Sequence, residues 1–296
     1  MIGSSPFLQY STNNTKPMIF NCGTFQLDLT SPCVMGIVNV TPDSFSDGGQ
    51  FAATNLAIEH ALKLVEEGAA ILDIGGESTR PNATLVSLQE ELDRVISVIE
   101  ALVSQVNIPI SIDTYKPQVM QAAITAGASI VNDVRALQEE GALQVVAKSN
   151  AGVCLMHMQG IPANMQDNPQ YDNVVNNVIT FLQARLQACI DVGIAKNRIL
   201  LDPGFGFGKT RAHNITLIQQ LESFAALGQP LLVGLSRKSV LGQISKAQMT
   251  RNDVDARLYA SIAASVIAAM KGAKILRVHD VKATVEALKV VSAIQQ

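Results

Sequence analysis

The sequence contains no tryptophan, and aromatic residues make up only 4% of its 296 positions. Proteins that bind single-stranded nucleic acid stack bases on aromatic rings, and most nucleic-acid surfaces are strongly basic. The formal net charge here is -3, so the chain provides no basic field. We therefore predict no nucleic-acid partner, and any cationic site must be local.

Cysteine and histidine are also scarce, with four residues of each. The cysteines lie far apart without a CxxC pair, which predicts reduced thiols in the core. The histidines form neither HxH nor HExxH, and this argues against a tightly held zinc or iron ion. The residues are Cys22, Cys33, Cys154 and Cys189, and His60, His157, His213 and His279.

The chain has no hydrophobic run long enough to span a membrane. Its most apolar segment, residues 258–270, lies between Arg257 and Lys271 and is too short for a hydrocarbon layer of about 30 Å. The N-terminus lacks the features of a secretory signal, so we predict a flexible tail over residues 1–16 and a cytoplasmic location. Because segment 258–270 is apolar around most of its circumference, we also predict a homodimer; tight packing against the protein's own core is the alternative.

Short apolar runs alternate with helical patterns along the rest of the chain, and this predicts an α/β fold. We expect a single-domain (β/α)8 TIM barrel over residues 17–296, preceded within that range by a short hairpin at 18–29 that closes the barrel floor. A doubly wound open sheet is the alternative, but it would concentrate functional residues at one switch point. The predicted helices are 55–67, 87–105, 117–126, 138–150, 173–192, 216–226, 253–271 and 282–294.

Polar or ionisable residues stand where the apolar runs end. A polar group at the buried end of a strand costs free energy unless it meets a partner, so these ends predict a common rim with a shared ligand. The run-end residues are Asn39, Asp73, Glu77, Asp113, Asn132, Asp133, His157, Asp202, Arg277 and His279, and an eighth run opens into Ser236, Arg237 and Lys238.

The segment GFGFGKT at residues 204–210 invites comparison with phosphate-binding loops. Pro203 stands where a Walker A loop needs glycine, and the spacing also misses GxGxxG. We see no helical pattern starting directly after it, which argues against a nucleotide fold. The alternative is a loop at a strand end that carries little side-chain bulk. Its backbone and the ring of Phe205 or Phe207 can then approach a flat ligand closely.

The types of residue at the run ends indicate what the ligand offers. Asp113, Asn132, Asp202 and Lys238 can hydrogen-bond the amide-like edge of a planar heterocycle; the alternative is that some support other groups or cap helices. Ser236 and Lys238 together suit a carboxylate.

A second set of residues indicates an anion. Arg80, Arg277 and His279 suit a diphosphate, with a buried salt-bridge cluster as the alternative. Asn39 offers one oxygen to a weakly held Mg²⁺ that takes other ligands from substrate phosphates.

Eight motifs in this order closely resemble the dihydropteroate synthases of the folate pathway, from about Met18 to Ile294. MGIVNVTPDSFSDGG and GAAILDIGGESTRP are similar to the two signature regions of that family. SIDTYKP, VNDV, CLMHMQG, LDPGFGFGKT, GLSRKS and RVHDV follow in the family's order. Asn82, where many members have glycine, and Ala260 depart from the pattern.

The resemblance implies a transferase that condenses 6-hydroxymethyl-7,8-dihydropterin diphosphate with 4-aminobenzoate, giving 7,8-dihydropteroate and diphosphate with help from Mg²⁺. It implies an SN1-like course in which diphosphate leaves before the arylamine attacks. The rivals are a pterin-binding methyltransferase domain that serves a corrinoid and a pterin-binding homologue without turnover.

The resemblance also assigns roles to residues by their position in these motifs. The implied pterin contacts are Asp113, Asn132, Met156, Asp202 and Lys238, with Phe207 at the junction of the substrates. The implied diphosphate and metal contacts are Asn39, Arg277 and His279, with Thr79 and Arg80 contributing and Asp43 or Asp47 offsetting the cation. The implied aminobenzoate site, also the sulfonamide pocket of the family, comprises Phe45, Thr79, Pro81, Phe207, Ser236 and Lys238.

Overall fold

Eight parallel strands close into a barrel, as the alternation of apolar runs predicted. The computed structural model describes residues 18–40, 49–78, 85–161, 164–245 and 257–295. The tail predicted at residues 1–16 lies outside these ranges. The barrel strands are β3 (Cys33–Asn39), β4 (Ile71–Gly75), β5 (Ile110–Asp113), β6 (Ile130–Asp133), β7 (Gly152–Met156), β8 (Ile199–Asp202), β9 (Leu231–Val233) and β10 (Ala273–Val278), which pairs with β3 to close the cylinder.

Helices follow the strands and cover the outside of the barrel. They are α1 (Gly49–Glu66), α2 (Leu88–Val103), α3 (Pro117–Ala126), α4 (Ala142–Ala147), α5 (Val174–Asp191), α6 (Arg211–Gln219), α7 (Ser239–Ser245), α8 (Leu258–Met270) and α9 (Val281–Gln295). The prediction for α3 is confirmed at both ends, where Pro117 starts the helix and Gly127 ends it in the left-handed region at φ 113°. Among the described helices, none combines the length and the apolar content needed to cross a bilayer.

Two helix predictions are wrong, and each has a local cause. α6 begins at Arg211, directly after GFGFGKT, because Thr210 and His213 form a capping box that the apolar periodicity did not reveal. The pattern predicted at 138–150 contains only the short helix α4. Gly141 lies in the left-handed region at φ 87°, which a helix cannot contain, so α4 starts only at Ala142.

Strand side chains alternate between the barrel interior and the layer beneath the helices. Leu72 and Ile74 pack in the outer core, whereas Ile71 belongs to a separate interior cluster. Because the period of a strand is two, Asp73 shares the interior face with Ile71. The same alternation places Asp113 inside, next to the outward Ile112.

A small antiparallel hairpin covers the floor of the barrel, as predicted. It consists of β1 (Ile19–Cys22) and β2 (Phe25–Asp28), and Gly23 at its bend has φ 59°. Phe20, Cys22 and Leu29 pack into the interior cluster against the first residues of the barrel strands. The apolar floor leaves the opposite end of the cylinder as the place where polar side chains collect.

The contact between Phe20 and β7 predicts a glycine-specific requirement at the floor. A Cβ added at Gly152 would lie 2.4 Å from the Phe20 ring carbon Cζ, so Gly152→Ala must displace the ring. We expect a loss of about 1–3 kcal/mol in the free energy of unfolding, measured by urea denaturation. Phe20→Leu should offset part of this loss in the double variant; equal losses in either background would contradict the clash.

Candidate active site

The carboxyl ends of the strands gather the polar residues that the sequence placed at run ends. Strand register puts Asn39 beside Gly75, Gly75 beside Asp113, and Asp113 beside Asn132. Met156 pairs in register with Asp202 on the next strands. These residues therefore share one rim, which is the expected location of an active site in a parallel barrel.

Arg277 makes the central ion pairs of this rim. Its Nε donates to Oδ2 of Asp73 at 2.6 Å, and its Nη2 donates to Oδ2 of Asp113 at 2.6 Å. The same Asp73 oxygen accepts the side-chain amide of Asn132 at 3.1 Å. Four side chains from four strands are thus joined inside the barrel mouth, and a buried salt-bridge cluster is part of the site.

Burial disfavours the charged forms of the side chains in this cluster. It raises the pKa of Asp113 above the usual range, although the Arg277 guanidinium opposes the shift and Asp73 adds to it. Burial also disfavours the charge on Arg277, but Asp73 and Asp113 together raise its pKa above its ordinary value. Oδ1 of Asp113 is buried without a hydrogen-bond partner among the described residues. A ligand that brings N–H donors would satisfy that oxygen.

Lys238 and Asp202 add opposite charges to the same rim, where each affects the pKa of the other. Lys238 donates through Nζ to the carbonyl oxygen of Phe205, and Nζ lies 4.4 Å from the centroid of the Phe207 ring. Burial lowers the pKa of Lys238 to about 8, with Asp202 opposing the shift. Burial raises the pKa of Asp202, which Lys238 and the N–H of Gly204 counteract. Here a cation, a carboxylate and an aromatic face are available together.

The turn that carries Ser236 and Lys238 is held in an unusual backbone conformation. Arg237 lies in the left-handed region at φ 57°, and its side chain pairs with Asp280. Its backbone N–H donates to Ser261 Oγ at 2.9 Å. β9 ends at Val233, three residues before Ser236, so this turn rather than the predicted strand end places the serine. Ser236 Oγ lies 3.1 Å from Nδ1 of His279.

The GFGFGKT loop is fixed by its lysine. Lys209 is buried and donates through Nζ to the carbonyl oxygens of Gly204 at 2.8 Å and Phe207 at 3.0 Å, and Nζ lies 2.9 Å from His157 Nδ1. This ammonium is therefore engaged by its own loop, which agrees with the rejection of a Walker A site. Gly208 approaches the Gln159 carbonyl so closely that an added Cβ would lie 2.4 Å away.

Six of the predicted site residues lie outside the described ranges, and two participants were missed. Those outside are Asp43, Phe45, Asp47, Thr79, Arg80 and Pro81. Asp73 was noted as a run-end residue but not as a member of the site; its alternation with Leu72 and Ile74 could have revealed its interior position. Lys209 was considered only as a phosphate ligand. A lone lysine among glycines and aromatics could have signalled a structural role.

Comparisons with known proteins agree with this geometry. The sequence profile of the pterin binding enzymes matches residues 35–279. Dihydropteroate synthase of Escherichia coli K12 is 50% identical over 275 residues, which cover 93% of this chain and 95% of that protein.

Solved structures give the same result. Dihydropteroate synthase of Xanthomonas albilineans with 4-aminobenzoic acid has a TM-score of 0.87 and 51% identity, covering 95% of this chain and 99% of that one. A complex of the Xanthomonas albilineans enzyme with 7,8-dihydropteroate has a TM-score of 0.83 and 45% identity, covering 94% and 98%.

The fold and the rim define a pterin-binding barrel enzyme. The family profile matches residues 35–279, and a relative that is covered over 95% of its length is 50% identical in sequence. The chain therefore belongs to the dihydropteroate synthase family, a family of transferases.

From the burial of His157 we predict that the free energy of unfolding depends measurably on pH. Burial and the neighbouring Lys209 lower its pKa from 6.5 to about 2, so its stabilising contribution is present above pH 6.5 and is lost as the pH falls towards 2. Between pH 6 and 4, His157→Gln should remove up to ~1.4 kcal/mol per pH unit from the slope of unfolding free energy. His60→Gln, at an exposed position on α1, is the control. Identical slopes in wild type and His157→Gln would contradict a neutral, buried imidazole.

Proposed function

We propose that this site condenses 6-hydroxymethyl-7,8-dihydropterin diphosphate with 4-aminobenzoate, forming 7,8-dihydropteroate and diphosphate for tetrahydrofolate biosynthesis. The observation that carries the proposal is the interior cluster of acceptors beside two cations in one barrel mouth, in a chain of this family. Acceptors suit the donor-rich edge of a pterin, and cations suit a diphosphate and a carboxylate.

The pterin ring is proposed to bind deepest in the mouth. Asp113 Oδ1 lacks a partner among the described residues, and Asp202 retains acceptor capacity beyond its bond to Gly204. Asn132 donates its amide to Asp73, so its Oδ1 is left as an acceptor for a ring N–H. Met156, buried at the end of β7, supplies an apolar wall. Lys238 contributes a donor that complements these acceptors.

Aminobenzoate is proposed to bind nearer the solvent. The Phe207 ring and the stem of Lys238 offer a partly exposed apolar surface next to a cation. Ser236 would hold the carboxylate with Lys238. Phe45, Thr79 and Pro81, which lie outside the described ranges, complete this proposal on the basis of the family motifs alone. A sulfonamide would occupy the same position.

The diphosphate is proposed to lie against Arg277 and His279. Nη1 of Arg277 has no hydrogen-bond acceptor among the described residues, so it can donate to a phosphate oxygen while the other nitrogens hold Asp73 and Asp113. His279 is placed beside Ser236 at the end of β10. Thr79 and Arg80 belong to this proposal by motif.

The residues present fit a magnesium ion that arrives with the diphosphate. In the described part of the chain no three His, Cys, Asp or Glu side chains are arranged to hold a metal. Asn39, exposed at the end of β3, offers a neutral oxygen, while Asp73 and Asp113 are already paired with Arg277. This donor set suits Mg²⁺ that keeps waters and takes substrate oxygens. When bound, the ion would neutralise charge on the leaving diphosphate.

The chain's own residues act mainly by electrostatics in an SN1-like course. Arg277 and His279 would stabilise negative charge that develops on the leaving oxygens. Asp113 and Asp202 hold the pterin where positive charge develops, and Asp43 or Asp47 would contribute to offsetting it. Phe207 and Lys238 orient the arylamine for attack on the pterin methylene carbon. No covalent nucleophile is required, and positioning supplies much of the rate.

The assay that tests this function follows both products of the reaction. Incubation with pterin diphosphate, 4-aminobenzoate and Mg²⁺ should yield diphosphate and dihydropteroate in equal amounts, and omission of aminobenzoate should abolish dihydropteroate. Methyl transfer to a corrinoid without diphosphate release would establish the methyltransferase rival. Pterin binding without any turnover would establish the non-catalytic rival.

Lys238→Met should separate catalysis from stability. The substitution keeps the apolar stem but removes the cation from both proposed substrates, and we expect kcat/KM to fall by about 100-fold, equivalent to about 2.7 kcal/mol. The melting temperature should hold, because the half-buried stem is kept and only the desolvated ammonium is removed. Lys274→Met is the matched control, since this lysine donates to Thr30 at the barrel floor. Equal losses of activity in both variants would contradict the assignment.

Arg277→Ala is a less selective test than Lys238→Met. Removal of Arg277 leaves Asp73 and Asp113 buried without their shared cation, so stability should fall together with activity.

A homodimer through α8 is also proposed. Tyr259, Ile267 and Met270 are 81%, 44% and 58% exposed on this helix, and Ala263 lies between them on the same face. An apolar helix face of this kind is usually covered by a partner. From the sequence alone we also propose a tail at residues 1–16, a single domain at residues 17–296 and a cytoplasmic location.

The dimer can be broken at one residue. Ile267→Glu puts a charge on the apolar face of α8, and sedimentation velocity should show a shift from dimer to monomer. Leu56→Glu, at a 65% exposed apolar position on α1, should leave the wild-type species unchanged. A monomeric wild type, or a dimer that persists in Ile267→Glu, would refute this interface.

A further inference from the structure

Asp73 occupies a position inside the barrel that neither packing nor solvation explains. Its side chain is 0% exposed in the middle of β4, level in register with Ile37 on β3 and Ser111 on β5. A buried carboxylate costs several kcal/mol unless partners offset the lost hydration. The identity of those partners therefore indicates what the residue does.

Both partners of Asp73 are residues of the proposed substrate site, and one oxygen serves both. Oδ2 accepts Arg277 Nε at 2.6 Å and Asn132 Nδ2 at 3.1 Å, from strands β10 and β6. An ionised carboxylate can only accept hydrogen bonds, so the amide of Asn132 must turn its nitrogen towards Asp73. Its oxygen is then presented as an acceptor, the polarity that a ring N–H requires.

Asp73 also gives Arg277 a second anchor. Arg277 is held by Asp73 and by Asp113, but Asp113 is proposed to accept donors from the pterin ring. A pterin that donates to Oδ1 of Asp113 would share this carboxylate with Arg277, which is bound to Oδ2. Asp73 is not proposed to bind a ligand, so it can keep the guanidinium in place through Nε.

Stability alone is a poor explanation of this carboxylate. Oδ1 of Asp73 is buried and has no hydrogen-bond partner among the described residues, and the same is true of the neighbouring Ser111 Oγ. A buried ion pair can often be replaced by well-packed apolar residues at no loss of stability. The contacts that Asp73 does make all orient other groups.

We propose that Asp73 is a positioning residue for pterin recognition, which sets the amide polarity of Asn132 and retains Arg277 while the pterin ring engages Asp113. The proposal rests on the proposed function for the identity of the ligand. It assigns Asp73 no contact with the substrates.

Asp73→Asn tests the proposal, because it keeps the shape but removes the charge and the obligatory acceptor. Binding of 6-hydroxymethylpterin, followed by its fluorescence, should weaken at least tenfold. The KM for pterin diphosphate should rise and kcat should fall, while the KM for 4-aminobenzoate stays within twofold. Ser111→Ala is the matched control at the same level of the barrel and should behave as wild type. Unchanged pterin binding, or equal rises in both KM values, would overturn the proposal.

A double-mutant cycle separates positioning from general structure. If Asp73 acts through Asn132, the effects of Asp73→Asn and Asn132→Ala on pterin binding should be non-additive, with the double variant close to the weaker single variant. Additive effects would overturn the proposal.

A charge-compensated pair covers the case in which Asp73→Asn does not fold. Asp73→Asn/Arg277→Gln is then compared with Arg277→Gln alone. Weaker pterin binding in the pair supports the role of Asp73, and equal binding refutes it. Failure of the proposed function would be seen separately, as absence of product from the wild-type chain; the binding measurements would still report on Asp73.

Discussion

The mutual dependence of Arg277, Asp73 and Asp113 is the interaction around which this site is built. Each charge is buried enough to be unfavourable by itself. The guanidinium offsets the charge of each carboxylate, and the two carboxylates together offset the guanidinium although they repel one another. The cluster joins β10 to β4 and β5 across the interior of the barrel. Because its charges are fixed before any ligand arrives, the mouth provides a preorganised electrostatic environment, which is the most effective kind for a reaction that separates charge.

The barrel divides stability and chemistry between its two ends. The floor is sealed by Phe20, Cys22 and Leu29 of the hairpin, and a wide apolar layer lies between strands and helices. Apolar burial in these regions stabilises the fold enough to offset a mouth that contains unsatisfied oxygens and groups with shifted pKa values. The GFGFGKT loop shows the same division on a smaller scale, since Lys209 holds the backbone while Phe207 and the Phe205 carbonyl face Lys238.

Much of the fold could be predicted because the signals are local. The alternation of apolar runs and helical patterns predicted the closed barrel and the hairpin at its floor. The helix after GFGFGKT was missed because its start depends on a Thr210 and His213 capping box. The pattern at 138–150 was misjudged because Gly141 adopts a left-handed conformation, so that the helix begins only after it. Hydrophobic periodicity registers neither a side-chain cap nor a left-handed glycine, so it missed both boundaries.

The candidate site was predictable as a set of strand-end residues, but its pairings were not. Asp113, Asn132, Asp202 and Arg277 could be placed on one rim, since parallel strands in a closed barrel end at the same edge. The sequence did not indicate that Asp73 would hold both Arg277 and Asn132. Arg277 and Asp73 are separated by 204 positions.

By itself, then, the sequence determined the architecture, the family and the chemical types available at the mouth, because these follow from periodicity, motif order and residue identity. Only the tertiary structure decided which charges neutralise one another, which amide edge faces inwards and which lysine is buried in its own loop. Those choices depend on distances between residues far apart in the chain, and such distances exist only once the cylinder has closed.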